Sequence, residues 1–130
     1  MKQLIFLLGV VSILFISCKK EAESASATPM NKQVRMGESI FRNEGNCQSC
    51  HRPDQKIVGP SLQEIAQIYT QNKASIVPFF QGNQDPIVDP SEYESMKVNL
   101  ELTKSMSEEQ LKALEAYMLS FLPKASKNLD

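Results

Sequence analysis

The sequence predicts an all-α fold of about four to five helices, and three observations support this class. From Ser107 onward, a helix-capping signal precedes a long apolar stripe at helical spacing, formed by Leu111, Leu114, Tyr117, Met118, Phe121 and Leu122. Weaker helical patterns occur near residues 32–44 and 62–71. No segment shows the convincing period-two alternation of a half-buried strand.

Helix-end signals delimit the first half of the domain. The first helix is expected from about Lys32 to Glu44, with Asn31 as N-cap and Gly45 after its end. The residues Ser61-Leu62-Gln63-Glu64 form a capping box for a second helix, which continues to about Gln71.

The second half has one strong and two weak helical segments. A short helix holding residues 76–80 is expected, with Asn72 as its cap, and Asp89-Pro90 predicts one further turn at 91–94. Residues 96–103 show no helical stripe. The last helix begins at the capping box Ser107–Gln110 and is expected to end at Pro123.

The strongest chemical signal is Cys47-Gln48-Ser49-Cys50-His51. This spacing is typical of c-type haem attachment, in which both thiols bond to one porphyrin and the next imidazole binds the iron. His51 is the only histidine of the chain. A thioredoxin-like redox pair would follow a buried strand, and a zinc site would need a fourth ligand. Both alternatives therefore fit the flanking residues less well.

The N-terminal residues predict export and lipidation. Lys2 precedes an apolar run from Leu4 to Ile16 that is too short for a comfortable membrane span. The run ends at Phe15-Ile16-Ser17-Cys18, which resembles a bacterial lipobox and implies cleavage before Cys18 and lipidation of that cysteine. An ordinary signal peptide or an uncleaved anchor is the alternative.

Composition completes the domain organisation. Residues 1–17 are predicted to be a lipoprotein signal peptide, and 18–32 the lipidated cysteine and a flexible tether rich in Lys, Glu, Ser and Ala. Residues 33–125 form one monohaem domain, and 126–130 form a tail. The net charge of −1, without a dense basic run, argues against binding nucleic acid.

Two further residues are candidates for the haem site. A ligating imidazole normally donates its second N–H to an oxygen, and the Pro60 carbonyl is a candidate acceptor. For the sixth ligand, Met106 precedes the cap residue Ser107 and has a structural role as the hydrophobic staple. Met96 lies in a segment expected to be irregular, where a loop can bring its side chain over the haem, so Met96 is favoured over Met106.

With these residues in place, the chain resembles the small bacterial monohaem class I cytochromes c over about residues 33–125. The resemblance rests on the Cys47–His51 motif, on Gly59-Pro60, and on a methionine segment before a terminal helix. It implies the class I cytochrome c fold, axial ligation by His51 and Met96, and a hydrogen bond from His51 to Pro60. It also implies that the first and last helices cross at Gly37, Phe41 and Tyr117. The stretch between Met96 and the last helix is longer than in the tightest family members.

These observations predict a monomeric electron carrier, not an enzyme, tethered to a membrane through Cys18. It would lie outside the cytoplasm and exchange electrons with donor and acceptor proteins through one covalent haem c and its iron. The alternative is a gas-binding or sensory haem domain with a vacant or labile sixth position. A peroxidase is disfavoured, because no second histidine is present to act as a distal acid–base group.

Overall fold

The structure, a computed structural model, describes residues 29–123, which form five α-helices joined by loops. The helices are α1 (Pro29–Arg42), α2 (Leu62–Gln71), α3 (Val77–Phe80), α4 (Tyr93–Lys104) and α5 (Glu108–Leu119). Two short 3₁₀ turns cover Cys47–Ser49 and Pro90–Glu92. Within this range the only β-type pairing is an isolated bridge between His51 and Lys56. The predicted all-α class is confirmed.

Helices α1 and α5 form the most extensive helix–helix contact of the fold. They cross at Gly37, where a Cβ atom would overlap the carbonyl oxygen of Ala113 and lie 2.8 Å from Cβ of Tyr117. Beside this crossing, the rings of Phe41 and Tyr117 are 5.3 Å apart, and both side chains are buried. The glycine is needed here because any side chain would push the two helices apart. The predicted packing role of Gly37, Phe41 and Tyr117 agrees with this geometry.

The first helix differs from its predicted bounds. It begins at Pro29 rather than Lys32, so Asn31 is inside the helix, and it ends at Arg42 rather than Glu44. Proline is favourable at a first helical position, because it has no N–H that would need a partner there. The helix therefore extends into the segment that the sequence assigned to the tether.

Helix α2 has its predicted bounds, and its cap fixes the chain just after the cysteine motif. The Ser61 hydroxyl accepts a hydrogen bond from the Glu64 backbone N–H, which is one half of the predicted capping box; the reciprocal bond to the Glu64 side chain is not formed. Asn72 is the C-cap of α2 and not the cap of the next helix. Helix α3 is instead anchored by Glu115 of α5, whose carboxylate accepts hydrogen bonds from the Ser75 hydroxyl and the Ile76 backbone N–H at 2.7 and 2.6 Å.

The segment 96–103, predicted to lack helix, is part of helix α4, and this prediction was wrong. The helix follows directly on the 3₁₀ turn Pro90–Glu92, which is the turn that Asp89-Pro90 predicted. Only Leu100 and Thr103 of α4 are buried, whereas Val98 is 74% and Leu102 is 40% exposed. Apolar residues on the exposed side and a threonine on the buried side obscure the helical period.

Helix α5 begins as predicted and ends earlier. The Ser107 hydroxyl accepts a hydrogen bond from the Gln110 backbone N–H, and the Gln110 side-chain oxygen accepts one from the Ser107 backbone N–H. The two bonds form a complete capping box. The helix stops at Leu119, four residues before Pro123, with Ser120 as C-cap. Phe121 still packs edge-on against Tyr117 at 5.2 Å, but Leu122 is exposed and does not extend the buried stripe.

Candidate haem site

The cysteine motif lies in a tight turn between α1 and α2. The backbone N–H groups of Cys50 and His51 both donate to the carbonyl of Cys47, at 3.1 and 2.9 Å, which closes the Cys47–Ser49 3₁₀ turn. Both thiols are half-buried and free, with no disulfide between them. The turn thus holds the two sulfur atoms and the imidazole on one short piece of backbone.

Burial of the Cys47 thiol favours its protonated form. Burial raises its pKa to about 11, because the thiolate would lose its hydration. Redox-active cysteines of the Cys-X-X-Cys type instead have a lowered pKa. In addition, no three Cys, His, Asp or Glu side chains of residues 29–123 converge in a way that could hold one metal ion. The raised pKa of Cys47 therefore argues against a thioredoxin-like pair, and residues 29–123 do not by themselves provide a zinc site.

The imidazole of His51 is held by the loop that follows it. Its Nδ1 is 2.8 Å from the carbonyl oxygen of Pro60, and since a carbonyl can only accept, Nδ1 carries the proton. Burial lowers the pKa of His51 below its ordinary value, although this hydrogen bond opposes the effect. The ring is therefore neutral at pH 7, and the lone pair of Nε2 is available to a metal. Pro60 occupies the position that the sequence predicted for the acceptor.

Gly59 lets the backbone of this loop approach the imidazole ring. A Cβ atom on Gly59 would lie 2.5 Å from Cε1 of His51, far inside van der Waals contact. The N–H of Gly59 also donates to the carbonyl of Cys50 at 2.9 Å. The backbone at Gly59 packs against one side of the ring, and the carbonyl of Pro60 fixes the orientation of the ring by one hydrogen bond.

Two adjoining clefts open beside His51. Six residues line both: Cys50, His51, Phe80, Met96, Asn99 and Met118. The other walls are mainly apolar, and in the larger cleft they include Ile65, Tyr69, Ile76, Phe79, Ile87 and Val88. Apolar walls, two adjacent thiols and one neutral imidazole are the donor set and surroundings that a covalently bound haem requires.

Three methionines reach the clefts. Met96 and Met118 line both, and Met106 lines only the smaller one. The expectation that Met96 lies in an irregular loop was wrong, because it lies on the first turn of α4. Met118 is a buried core residue of α5, as its place in the apolar stripe predicted. Met106 is half-buried against the core that includes Leu111, in agreement with a hydrophobic staple.

Sequence reasoning missed Asn99 and Asp89 as cleft residues. The side-chain N–H of Asn99 is 4.0 Å from the sulfur of Met96, three residues earlier on α4. Asp89 lines the larger cleft and pairs with Lys56 at 2.5 Å. The spacing of Met96 and Asn99 would have identified Asn99 if residues 93–104 had been recognised as a helix. No sequence signal links Lys56 to Asp89, since only the fold brings them together.

Five helices around an apolar cleft, with paired thiols and a fixed imidazole at its wall, define a c-type haem protein. The sequence model of the cytochrome c family matches residues 34–121, more than half of the chain, and the protein therefore belongs to the cytochrome c family. The match supports a monohaem class I member. No curated protein matches the sequence of this chain.

Family membership establishes the cofactor and the general activity. The protein binds one haem c covalently through the pair Cys47 and Cys50, and it is an electron-transfer protein. Domains of this family are typically electron carriers that work with redox partner proteins, and they are generally exported. Within residues 29–123, no helix has the length and apolar character needed to cross a membrane.

Proposed function

We propose that this cytochrome c is a one-electron carrier with His51 and Met96 as axial ligands. The proposal rests on the position of Met96, which lines the same two clefts as His51. The Nδ1–H of His51 is hydrogen-bonded to the carbonyl of Pro60. When bound, the haem supplies an iron that cycles between the ferric and ferrous states.

The protein residues determine how that iron is held. Nε2 of His51 would bind it on one side, and the hydrogen bond to Pro60 keeps the ring in the required tautomer and orientation. The thioether of Met96 would bind it on the other side, which raises the reduction potential and suits electron transfer. Met96 is preferred to Met118, which is 6% exposed and packed in the core, and to Met106, which reaches only the smaller cleft.

The cleft walls exclude water and leave one side near the surface. Tyr69, Ile76 and Phe80 are buried behind the larger cleft. Val58 and Ile87, which are 51% and 37% exposed, also line it and lie within reach of a partner protein. A low-dielectric interior with an accessible rim allows electron exchange without contact between the iron and solvent.

The test is the visible spectrum of the reduced, haem-loaded protein before and after carbon monoxide is added. An unchanged spectrum is expected, because an iron with two protein ligands has no open position. Met96→Ala should open the site to carbon monoxide. The controls Met106→Ala and Met118→Leu, the second of which removes the sulfur but keeps the core volume, should leave it closed.

Other outcomes would change the assignment. Opening by Met106→Ala and not by Met96→Ala would transfer the ligand role to Met106. Prompt binding by the unmodified protein would mean a vacant or labile sixth position, and the alternative of a gas-binding or sensory domain would then replace the electron carrier. A protein without a haem spectrum, made in a host that attaches haem c, would contradict both.

We also propose that the carrier is a monomer tethered outside the cytoplasm by lipid on Cys18, on the periplasmic or cell-surface side. Only the sequence supports this, since the signal peptide 1–17, Cys18 and the tether to residue 28 lie outside the described residues. When the whole chain is expressed, the mature protein should sediment with membranes, begin at Cys18 and carry a lipid mass on that residue. Cys18→Ala should release it, and a released, unlipidated wild-type protein would contradict the tether.

A further inference from the structure

One ion pair of the described residues differs from all the others. Four of the five pairs join side chains three or four residues apart on one helix: Glu38–Arg42, Glu94–Lys97, Glu101–Lys104 and Glu108–Lys112. The fifth joins Nζ of Lys56 to Oδ2 of Asp89 at 2.5 Å, across 33 residues of sequence. The pair Lys56–Asp89, termed the cleft pair, is therefore a tertiary contact and not a local feature of one helix.

Lys56 belongs to the segment that holds the imidazole. Its backbone pairs with that of His51 in the isolated β-bridge, and the loop it lies on continues to Gly59 and Pro60. A displacement of Lys56 would therefore act directly on the backbone of the proximal ligand.

Asp89 belongs to the segment that leads into α4, the helix that carries Met96. It lines the larger cleft, and its other carboxylate oxygen accepts a hydrogen bond from the Ser91 hydroxyl at 2.6 Å. Ser91 lies in the 3₁₀ turn Pro90–Glu92, which leads without a break into α4 and Met96. The cleft pair thus joins the two sides of the haem cleft, the side of His51 and the side of Met96.

Both partners are charged at neutral pH. The hydrogen bond from Lys56 lowers the pKa of Asp89 below its ordinary value, and the same bond raises the pKa of Lys56. The carboxylate side chain is only 15% exposed, whereas that of Lys56 is 52% exposed. Glu92 and Glu64 lie near enough to favour the charged lysine further. Solvent reaches the lysine, so the attraction weakens as salt is added.

We propose that Lys56 and Asp89 are positioning residues that hold the Met96 side of the cleft against the His51 side and so keep the sixth position closed. The proposal rests on the proposed ligation by Met96. It implies that the exchange of Met96 for an external ligand depends on ionic strength.

The experiment is a titration of the oxidised, haem-loaded protein with imidazole, which competes with the methionine and is followed by the visible spectrum. Lys56→Gln is expected to raise the affinity for imidazole by up to about fivefold, the upper end for an exposed ion pair. The matched control Lys112→Gln removes the same charge by breaking the pair on α5, and it should leave the affinity unchanged. In about 1 M salt, the wild-type affinity should approach that of Lys56→Gln.

Two further variants separate positioning from a general loss of structure. The exchange of charges in Lys56→Asp/Asp89→Lys should restore part of the wild-type closure, because the attraction is rebuilt with opposite polarity. In a Met96→Ala background, Lys56→Gln should have no further effect, since there is then no methionine to displace. An equal effect of Lys56→Gln and Lys112→Gln, or a full effect of Lys56→Gln in the Met96→Ala background, would overturn the proposal.

The carbon monoxide test keeps the two proposals apart. A reduced wild-type protein that stays closed to carbon monoxide, combined with an unaltered imidazole affinity in Lys56→Gln, would overturn the role of the cleft pair alone. A wild-type protein open to carbon monoxide would overturn the ligation by Met96, and the role of the cleft pair with it.

Discussion

Replacement of Gly37 by alanine tests the close crossing of α1 and α5. The added Cβ would overlap the carbonyl oxygen of Ala113 and lie 2.5 Å from its carbonyl carbon and 2.8 Å from Cβ of Tyr117. Two of these three atoms are backbone, so no side-chain rotation relieves the overlap. Ordinary carbon–carbon contact is about 3.5 Å or more, which requires the helices to part by about 1 Å.

The expected magnitude follows from two opposing terms. Alanine in place of glycine favours an exposed helix by about 1 kcal/mol. Overpacking of a tight core contact costs about 1–3 kcal/mol and occasionally more, and this overlap with backbone belongs at the upper end. Separation of the helices also loosens Phe41 and Leu114, which are buried between or beside them. We therefore expect Gly37→Ala to lower the free energy of unfolding by about 2 kcal/mol.

The assay is thermal and guanidinium unfolding of the haem-loaded protein, followed by helical circular dichroism. For a domain of this size, a loss of 2 kcal/mol corresponds to a melting temperature lower by about 8–16 °C. Gln33→Ala, at an exposed position of α1, is the control and should be neutral or slightly stabilising. A Gly37→Ala protein at least as stable as the wild type would refute the close crossing.

Two further substitutions test the supports of the cleft. Thr103→Val removes the buried hydroxyl that donates to the Phe80 carbonyl at 2.7 Å, so it should cost about 1–2 kcal/mol in guanidinium unfolding, whereas the exposed Thr70→Val should cost little. Burial raises the pKa of Tyr69 to about 12, so folding favours its neutral form, and this contribution is complete below pH 10 and is lost as the pH rises from about 10 to 12. Tyr69→Phe should therefore lose less stability over that interval than the wild type does, and an identical alkaline profile of the two proteins would contradict the burial of the hydroxyl.

Local signals in the sequence were sufficient for α2, α5 and the cysteine turn. The hydroxyl of Ser107 and the apolar stripe that follows it lie within a few residues of each other, so neighbouring residues of the sequence determine where α5 begins. The same is true of Ser61 and of the turn that holds Cys47 and Cys50. The role of the Pro60 carbonyl could be predicted because an imidazole that binds a metal needs a hydrogen-bond acceptor for its second N–H. That prediction requires no knowledge of the fold.

Helix α4 could not be recognised because its inner face is half polar. Met96, Asn99, Leu100 and Thr103 are spaced as one helical face, but only two of the four are apolar. Asn99 lines the clefts, and the hydroxyl of Thr103 is satisfied by the carbonyl of Phe80 on α3. The Thr103 hydroxyl is tolerated because a tertiary partner accepts its hydrogen bond, and such a partner is invisible in an isolated segment.

The choice between the two methionines depends on the same helix. The sequence predicts a loop that carries Met96, whereas in the structure Met96 lies on α4, and the buried residues Leu100 and Thr103 anchor the face of α4 that carries it. The staple position of Met106 ties that side chain to the start of α5 and restricts it to the smaller cleft. A methionine on a helix can keep the sixth coordination position of the iron closed only if the helix itself is held in place. Under the proposed ligation by Met96, we expect that requirement to fall on the Thr103–Phe80 hydrogen bond at one end of α4 and on the cleft pair at the other.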